Sequence, residues 1–213
     1  MESGTVGRIN VRDVWIAFLI QDDKTGATFE VPVLIPGTMQ VLVAPRVASE
    51  TIYGDGNARY TVIKVGGYDV TLDHNMIPPK ILSRMRGQAY VTGKKIRRSN
   101  VSDVQENFAM GWTVDLTGKF VEVTWLPKCT ATPPSRNAQQ TTGSSINHSP
   151  DSMTITALPL EYNGDYEYIA DTSDKESGFT PADAASFFNE VPVVPPITPA
   201  GVQGLATATA SEK

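Results

Sequence analysis

Cysteine is almost absent from this chain, and histidine nearly so. Cys129 is the one thiol in 213 residues, which excludes an internal disulfide and any zinc site built from cysteines. The two histidines, His74 and His148, lie far apart in sequence. Solvent-exposed side chains are the ordinary reading for both, ahead of a paired metal or acid–base role. The longest apolar run, residues 14–20, is far too short to cross a bilayer, so no membrane insertion of the chain is expected. The opening MESGTVGRIN has no apolar core, so no signal peptide is expected. Positive charge is scarce as well. Lys and Arg number 18 against 23 Asp and Glu, and the net charge of -5 argues against wrapping a nucleic-acid backbone.

Catalytic constellations are missing in the same way. The one basic cluster, Lys94-Lys95-Ile96-Arg97-Arg98, reads as a solvated surface ahead of a phosphate site. Gly54-Asp55-Gly56 is followed by neither Lys-Ser/Thr nor a helix, so it is no phosphate cradle. Asp22-Asp23-Lys24-Thr25-Gly26 lacks the ligand alternation and closing Glu of a calcium loop and reads as a turn. Cys129 has no His beside it and reads as a structural thiol. Nothing assembles a nucleophile, a base and an oxyanion site, so neither an enzyme nor a cofactor is expected.

What the chain has is alternation. In NFAMGWTVDLTGKFVEVTWLPKC, Phe108, Met110, Trp112, Val114 and Leu116 fall on alternate residues, and Val121, Val123 and Trp125 resume after a Gly-containing turn. This predicts a long antiparallel hairpin with those two rows on one buried face. Shorter strands are predicted at residues 11–20, 28–34, 39–43, 49–53, 58–64 and 67–72, with a hairpin turn at Gly54-Asp55-Gly56-Asn57. Two helices interrupt them. One opens at Pro78-Pro79, stacks Ile77, Ile81 and Met85, and stops at Gly87. The other spans residues 181–189, with Thr180 as N-cap, Pro181 first and Asp183 at the third position. Residues 130–150 read as a long exposed polar loop and residues 197–213 as a mobile tail. The implied fold is mainly β: an antiparallel two-sheet sandwich or barrel over residues 1–172, with one flanking helix. A C-terminal arm with a short helix follows at residues 173–196.

Taken in order, these pieces resemble the major tail proteins, or tail tube proteins, of long-tailed bacteriophages. VGRINVRDVWIAFLIQDDKTGATFEVPVLIPG resembles the opening strand, turn and second strand of that family. SETIYGDGNARYTV is similar to its Ser-Glu-Thr segment and acidic, Gly-containing loop. GGYDVTLDHNMIPPKILSRMRGQ resembles its strand leading into the core helix, FAMGWTVDLTGKFVEVTWLPKC its late hairpin, and MTITALPLEYNGDYEY its closing strands. The resemblance covers roughly residues 6–170. It implies a virion protein whose copies form hexameric rings stacked into a tube. A tape-measure protein occupies the tube, terminator and tip proteins close it, and DNA passes through without specific binding. On that reading, alternation sends Asp69, Thr71, Thr113, Asp115, Glu122 and Thr124 to the lumen wall. Glu50, Tyr53, Asp55, Asn57 and Arg59 are expected at contacts between subunits or rings, and so are Phe187 and Phe188, which nothing nearby in sequence buries. The alternative is a β-sandwich carbohydrate- or receptor-binding module, which needs an exposed aromatic platform; alternation places Trp15, Trp112 and Trp125 in the core instead.

Overall fold

The computed structural model describes residues 6–55, 57–135 and 150–196. Its strands are β1 (Arg8–Asp23), β2 (Gly26–Phe29), β3 (Val33–Ile35), β4 (Thr38–Gly54), β5 (Asn57–His74), β6 (Ala89–Val91), β7 (Ile96–Arg98), β8 (Phe108–Leu116), β9 (Phe120–Ala131), β10 (Asp151–Ala157) and β11 (Tyr168–Asp171). Helix α1 (Pro79–Met85) follows β5, and α2 (Pro181–Ser186) follows β11. Nine strands form one antiparallel sheet in the order β2-β1-β8-β9-β10-β5-β4, with β3 also on β1 and β11 also on β9. The basic stretch 94–98 lies in the separate β6–β7 ribbon, with Lys94, Lys95 and Arg98 exposed.

Buried side chains of β5 and β10, near one end of that order, share a core with β1 and β3 near the other: Val70, Leu72, Met153 and Ile155 pack with Val14, Ile16, Phe18 and Ile35. The sheet therefore curls over itself, and α1 closes the core with Leu82 and Met85. This is the antiparallel β architecture with a flanking helix that the alternation implied. Pro79 opens α1, where a missing N–H costs nothing. Gly87 stops it at φ 64, and a Cβ there would lie 1.9 Å from the Val104 carbonyl oxygen, so only glycine fits. Arg84, at the helix end, stacks 3.8 Å over the Phe18 ring and bridges Glu30 and Glu106, each at 2.7 Å.

The β8–β9 hairpin forms, but its two strands are phased differently from the sequence expectation. Gly111 opposes Trp125, Thr113 opposes Val123, and Asp115 opposes Val121. Directly opposed residues share a face. The Val121/Val123/Trp125 row therefore lies on the side opposite Trp112 and Val114. The turn pairs Leu116 with Phe120, and that odd spacing reverses the phase. Both faces are buried: Trp112, Val114 and Leu116 enter the main core, while Val123 and Trp125 join Ala17, Ala109, Phe188 and Val191 in a second one.

The four short strands expected between residues 39 and 72 merge into two long ones. The ladder continues past Pro45 with a register shift and past Gly66-Gly67, pairing Pro45 with Tyr68 and Val47 with Val65. Proline is tolerated because β4 ends the sheet and needs no donor on its open side. Residues 46–65 extend beyond the body, and none belongs to either buried cluster.

A largely buried ion pair, invisible in the sequence, ties β9 to β1 and draws in the loop after β10. Lys128 Nζ lies 2.6 Å from Asp22, whose side chain is 4% exposed. Asp22 also accepts the backbone N–H groups of Glu161 at 2.9 Å and Tyr162 at 3.2 Å, so its charge is compensated from three directions. Next to it, Asp23 caps the turn that the sequence expected: bonds from the Thr25 hydroxyl and backbone N–H, and from Gln21, hold its carboxyl down at about 2. Most of the expected polar loop (136–149), with His148, and the expected mobile tail (197–213) lie outside the described residues. Of that loop's described start, Thr130 and Ala131 finish β9 and Ser135 bridges to Ser152.

Candidate functional site

Two surfaces stand out, and the first is the projecting arm, residues 46–65. Strand register sorts its side chains. One face carries Val47, Ser49, Thr51, Thr61, Ile63 and Val65, the other carries Ala48, Glu50, Ile52, Tyr60, Val62 and Lys64, and Tyr53 lies past a register shift near the tip. Both faces are wet: Tyr53 is 69% exposed, Tyr60 59% and Ile63 67%. A satisfied sheet usually keeps such residues for a buried side, so an arm apolar on both faces lacks its cover. The five arm residues singled out in sequence, Glu50, Tyr53, Asp55, Asn57 and Arg59, fall in its outer half and are all exposed. Arg59 Nη2 contacts Asp55 at 2.5 Å, and Thr51 and Thr61 hydroxyls meet across the strands at 3.1 Å. Sequence reading missed Val47, Ile52, Tyr60, Val62 and Ile63, although continued alternation through residues 58–64 was the available signal.

The second surface is the outer face of β4, β5 and β10. Paired rows place Gln40, Asp73 and Ser152 side by side, then Leu42, Thr71 and Thr154, then Ala44, Asp69 and Thr156. Val70, Leu72, Met153 and Ile155 alternate with them into the core, which leaves this outer face mostly polar, with the exposed Leu42 and Ala44 as its apolar members. Arg46 donates to Asp69 at 2.9 Å and to Thr156 at 3.2 Å. The Arg46 hydrogen bond holds the Asp69 carboxyl below the usual carboxylate range. Asp69 and Thr71 thus lie where alternation put them, outside the core. The neighbours on β10 went unread because MTITALP offers few polar residues by which to phase it.

The other four proposed lumen residues do not join that face. Thr113 and Thr124 are buried, at 5% and 2% exposure. Asp115 accepts from Arg12 Nε at 2.9 Å and from Asn10 at 3.2 Å, and Glu122 pairs with Arg8 at 2.8 Å. The cause is the opening strand: β1 lies beside β8 and brings Arg8, Asn10 and Arg12 against these carboxylates. Nor are the two phenylalanines left exposed. Phe188 stacks on Trp15 with ring centroids 5.7 Å apart and tilts against Trp125 at 5.5 Å. Phe187 is half-buried, and its carbonyl accepts the Trp125 indole N–H at 3.2 Å. The Thr180–Asp183 capping box forms as the sequence predicted, and it directs the end of α2 onto the sheet. Trp112 and Trp125 are interior, in keeping with the core placement that alternation gave them.

No protein-family model and no curated protein matches the chain. The remaining sites of possible chemistry are structural in their surroundings. Cys129 is buried, and desolvation pushes its thiol up, away from reactivity. Among the described residues no three of His, Cys, Asp and Glu gather as a metal ion would need, and no helix is long and apolar enough to cross a membrane.

His74, expected at the surface, is buried at the end of β5, because the β3–β4 connection folds over it. Its Nδ1 accepts the Met76 backbone N–H at 3.2 Å, which leaves Nε2 to donate to the Ile35 carbonyl at 3.4 Å. Burial lowers its pKa below the ordinary value. An unfolded chain therefore takes up this proton at a higher pH than the folded one. The contribution of neutral His74 to stability is full above about pH 6.5 and is lost as pH falls through that value towards the lowered folded pKa. Urea midpoints measured between about pH 7.5 and pH 5 should drop for the native chain and drop less for His74→Gln. Equal slopes would remove His74 from this role.

Proposed function

We propose that this chain is a self-assembling structural protein of the phage major-tail type, whose copies form stacked hexameric rings around a bore for DNA. The arm at residues 46–65 carries the reading: some twenty residues of ladder, with apolar side chains on both faces and no cover from the described part of the chain. Copies of the same chain are the natural cover in a homo-oligomer. The polar face of β4, β5 and β10 supports the same reading. A conduit should be hydrated and should not grip phosphates, and short Thr, Ser and Asp side chains make such a wall. The candidate lumen set is accordingly Asp69 and Thr71, now joined by Asp73, Ser152, Thr154 and Thr156. Tape-measure, terminator and tip proteins are the further partners this reading brings, and the virion is its location.

Negative-stain electron microscopy of the concentrated, purified chain tests it. Rings or tubes with an open bore are expected. A protein that stays monomeric at every concentration, by microscopy and by sedimentation, would overturn the reading.

A further inference from the structure

Between β3 and α1 the body carries a groove of about 460 Å³ with mainly apolar walls. Val31, Val33 and Leu34 form one side, Pro78 and Ile81 the other, and Lys80 stands on the rim. Val31 is 80% exposed and Val33 50%, so the described chain leaves this side open.

We propose that the arm of one copy seats in this groove of a second copy, with Glu50 of the arm against Lys80 of the groove. The inference rests on the self-assembly reading above and names the acceptor for the arm.

Three observations carry it. The first is placement. β3 ends just before Thr38 and α1 begins just after His74, so the groove sits where the β4–β5 ladder starts. The arm's tip, at the Tyr53–Ala58 pair, is at the other end of the same ladder. Fifteen residues of strand at about 3.3 Å each separate the two by roughly 50 Å, so an arm cannot reach its own groove. A donor and an acceptor at opposite ends of one element suit a heterologous, head-to-tail contact, which closes into a ring or runs on as a filament according to the rotation between copies.

The second is chemistry. The arm face bearing Ile52, Tyr60 and Val62 is apolar apart from Glu50, Lys64 and the small Ala48. The groove is apolar apart from its charged rim, so the two surfaces bury one another's exposed area. The third is charge. Glu50 on the arm and Lys80 on the groove have no ion-pair partner among the described residues, whereas Asp55, Arg59, Glu30 and Arg84 are all paired within the chain. One unpaired carboxylate on an apolar ridge and one unpaired ammonium beside an apolar groove are complementary, and they fix the sense in which the ridge enters.

The test uses the full chain. A benzophenone amino acid replaces Tyr60, and isotopically light and heavy copies are mixed before irradiation. Heavy-to-light cross-links from position 60 to peptides containing residues 31–34 or 78–84 are expected. In parallel, Glu50→Lys and Lys80→Glu should each raise the concentration needed for assembly by about tenfold or more, and the double variant should recover most of the loss. If native copies assemble, but the cross-links fall elsewhere and the double variant gains nothing, the groove is not the acceptor and the tube reading stands. If native copies neither assemble nor cross-link, both fall together.

Discussion

Replacing residues 49–63 by a two-residue Asn-Gly turn should leave a folded monomer that no longer forms rings or tubes. The folding half of this expectation follows from burial. The side chains that β4 and β5 give to the core, Val41, Val43, Val70 and Leu72, all precede Pro45 or follow Gly67, and the shortened ladder keeps them. Ala48 and Lys64 face each other directly, so a tight type I′ turn can join them without changing register. The unfolding midpoint should therefore move little, and solubility should rise as Tyr53, Tyr60 and Ile63 are removed. The assembly half follows from the arm's exposed faces: without them the uncovered side chains of Ile52, Tyr53, Tyr60, Val62 and Ile63 are gone. Tubes of normal appearance from the shortened chain would show that the arm is not the assembling element.

The β character of the fold was legible because alternation survives in single strands: Val70 and Leu72 against Asp69 and Thr71 needs no knowledge of a partner. What depended on a partner was not legible. Pro45 and Gly66-Gly67 look like strand ends in isolation, yet lying opposite one another they permit a shared irregularity and the ladder runs on. The phase of β9 relative to β8 is set by pairing Leu116 with Phe120, and alternation alone is blind to it. Asp22 reads as part of a surface turn because its donors, Glu161 and Tyr162, come from about 140 residues away. The site divided along the same line. The arm residues and Asp69 with Thr71 were found from local pattern. Thr113, Asp115, Glu122 and Thr124 were misplaced: the reversed phase turns Glu122 and Thr124 to the side of Trp112 and Val114, Thr113 shares the face of Val123 where Phe188 and Val191 pack, and Arg8, Asn10 and Arg12 of β1 meet the two carboxylates.

Phe188 offers the largest expected effect on stability. Its ring lies parallel to Trp15 within 3° and leans on Trp125, and it closes the second core over Ala17, Ala109 and Val123. Gly111 is part of the same fit. A Cβ at that position would come within 2.8 Å of both the Phe188 and the Trp125 rings, so the missing side chain is what lets the phenylalanine settle onto the sheet. Truncating a buried phenylalanine to alanine costs about 3–5 kcal/mol, and the aromatic neighbours here cannot collapse into the gap without leaving their own contacts. Against a typical total of about 5–15 kcal/mol this is a large fraction, and for a chain of this size it lowers the melting temperature by roughly 6–20 °C. Phe188→Ala should show that drop by calorimetry, and removing everything after Asp171 should prevent stable folding by exposing Trp125 and Val123. Phe187→Ala, at a half-buried position packed edge-on against Phe179, should cost less. The sequence expectation that Phe188 docks onto a neighbouring copy makes the opposite forecast: an unchanged melting temperature with assembly lost. A Phe188→Ala chain that is folded at low temperature and still assembles there, but melts early, places the residue inside its own subunit. One that melts normally and fails to assemble returns it to the interface.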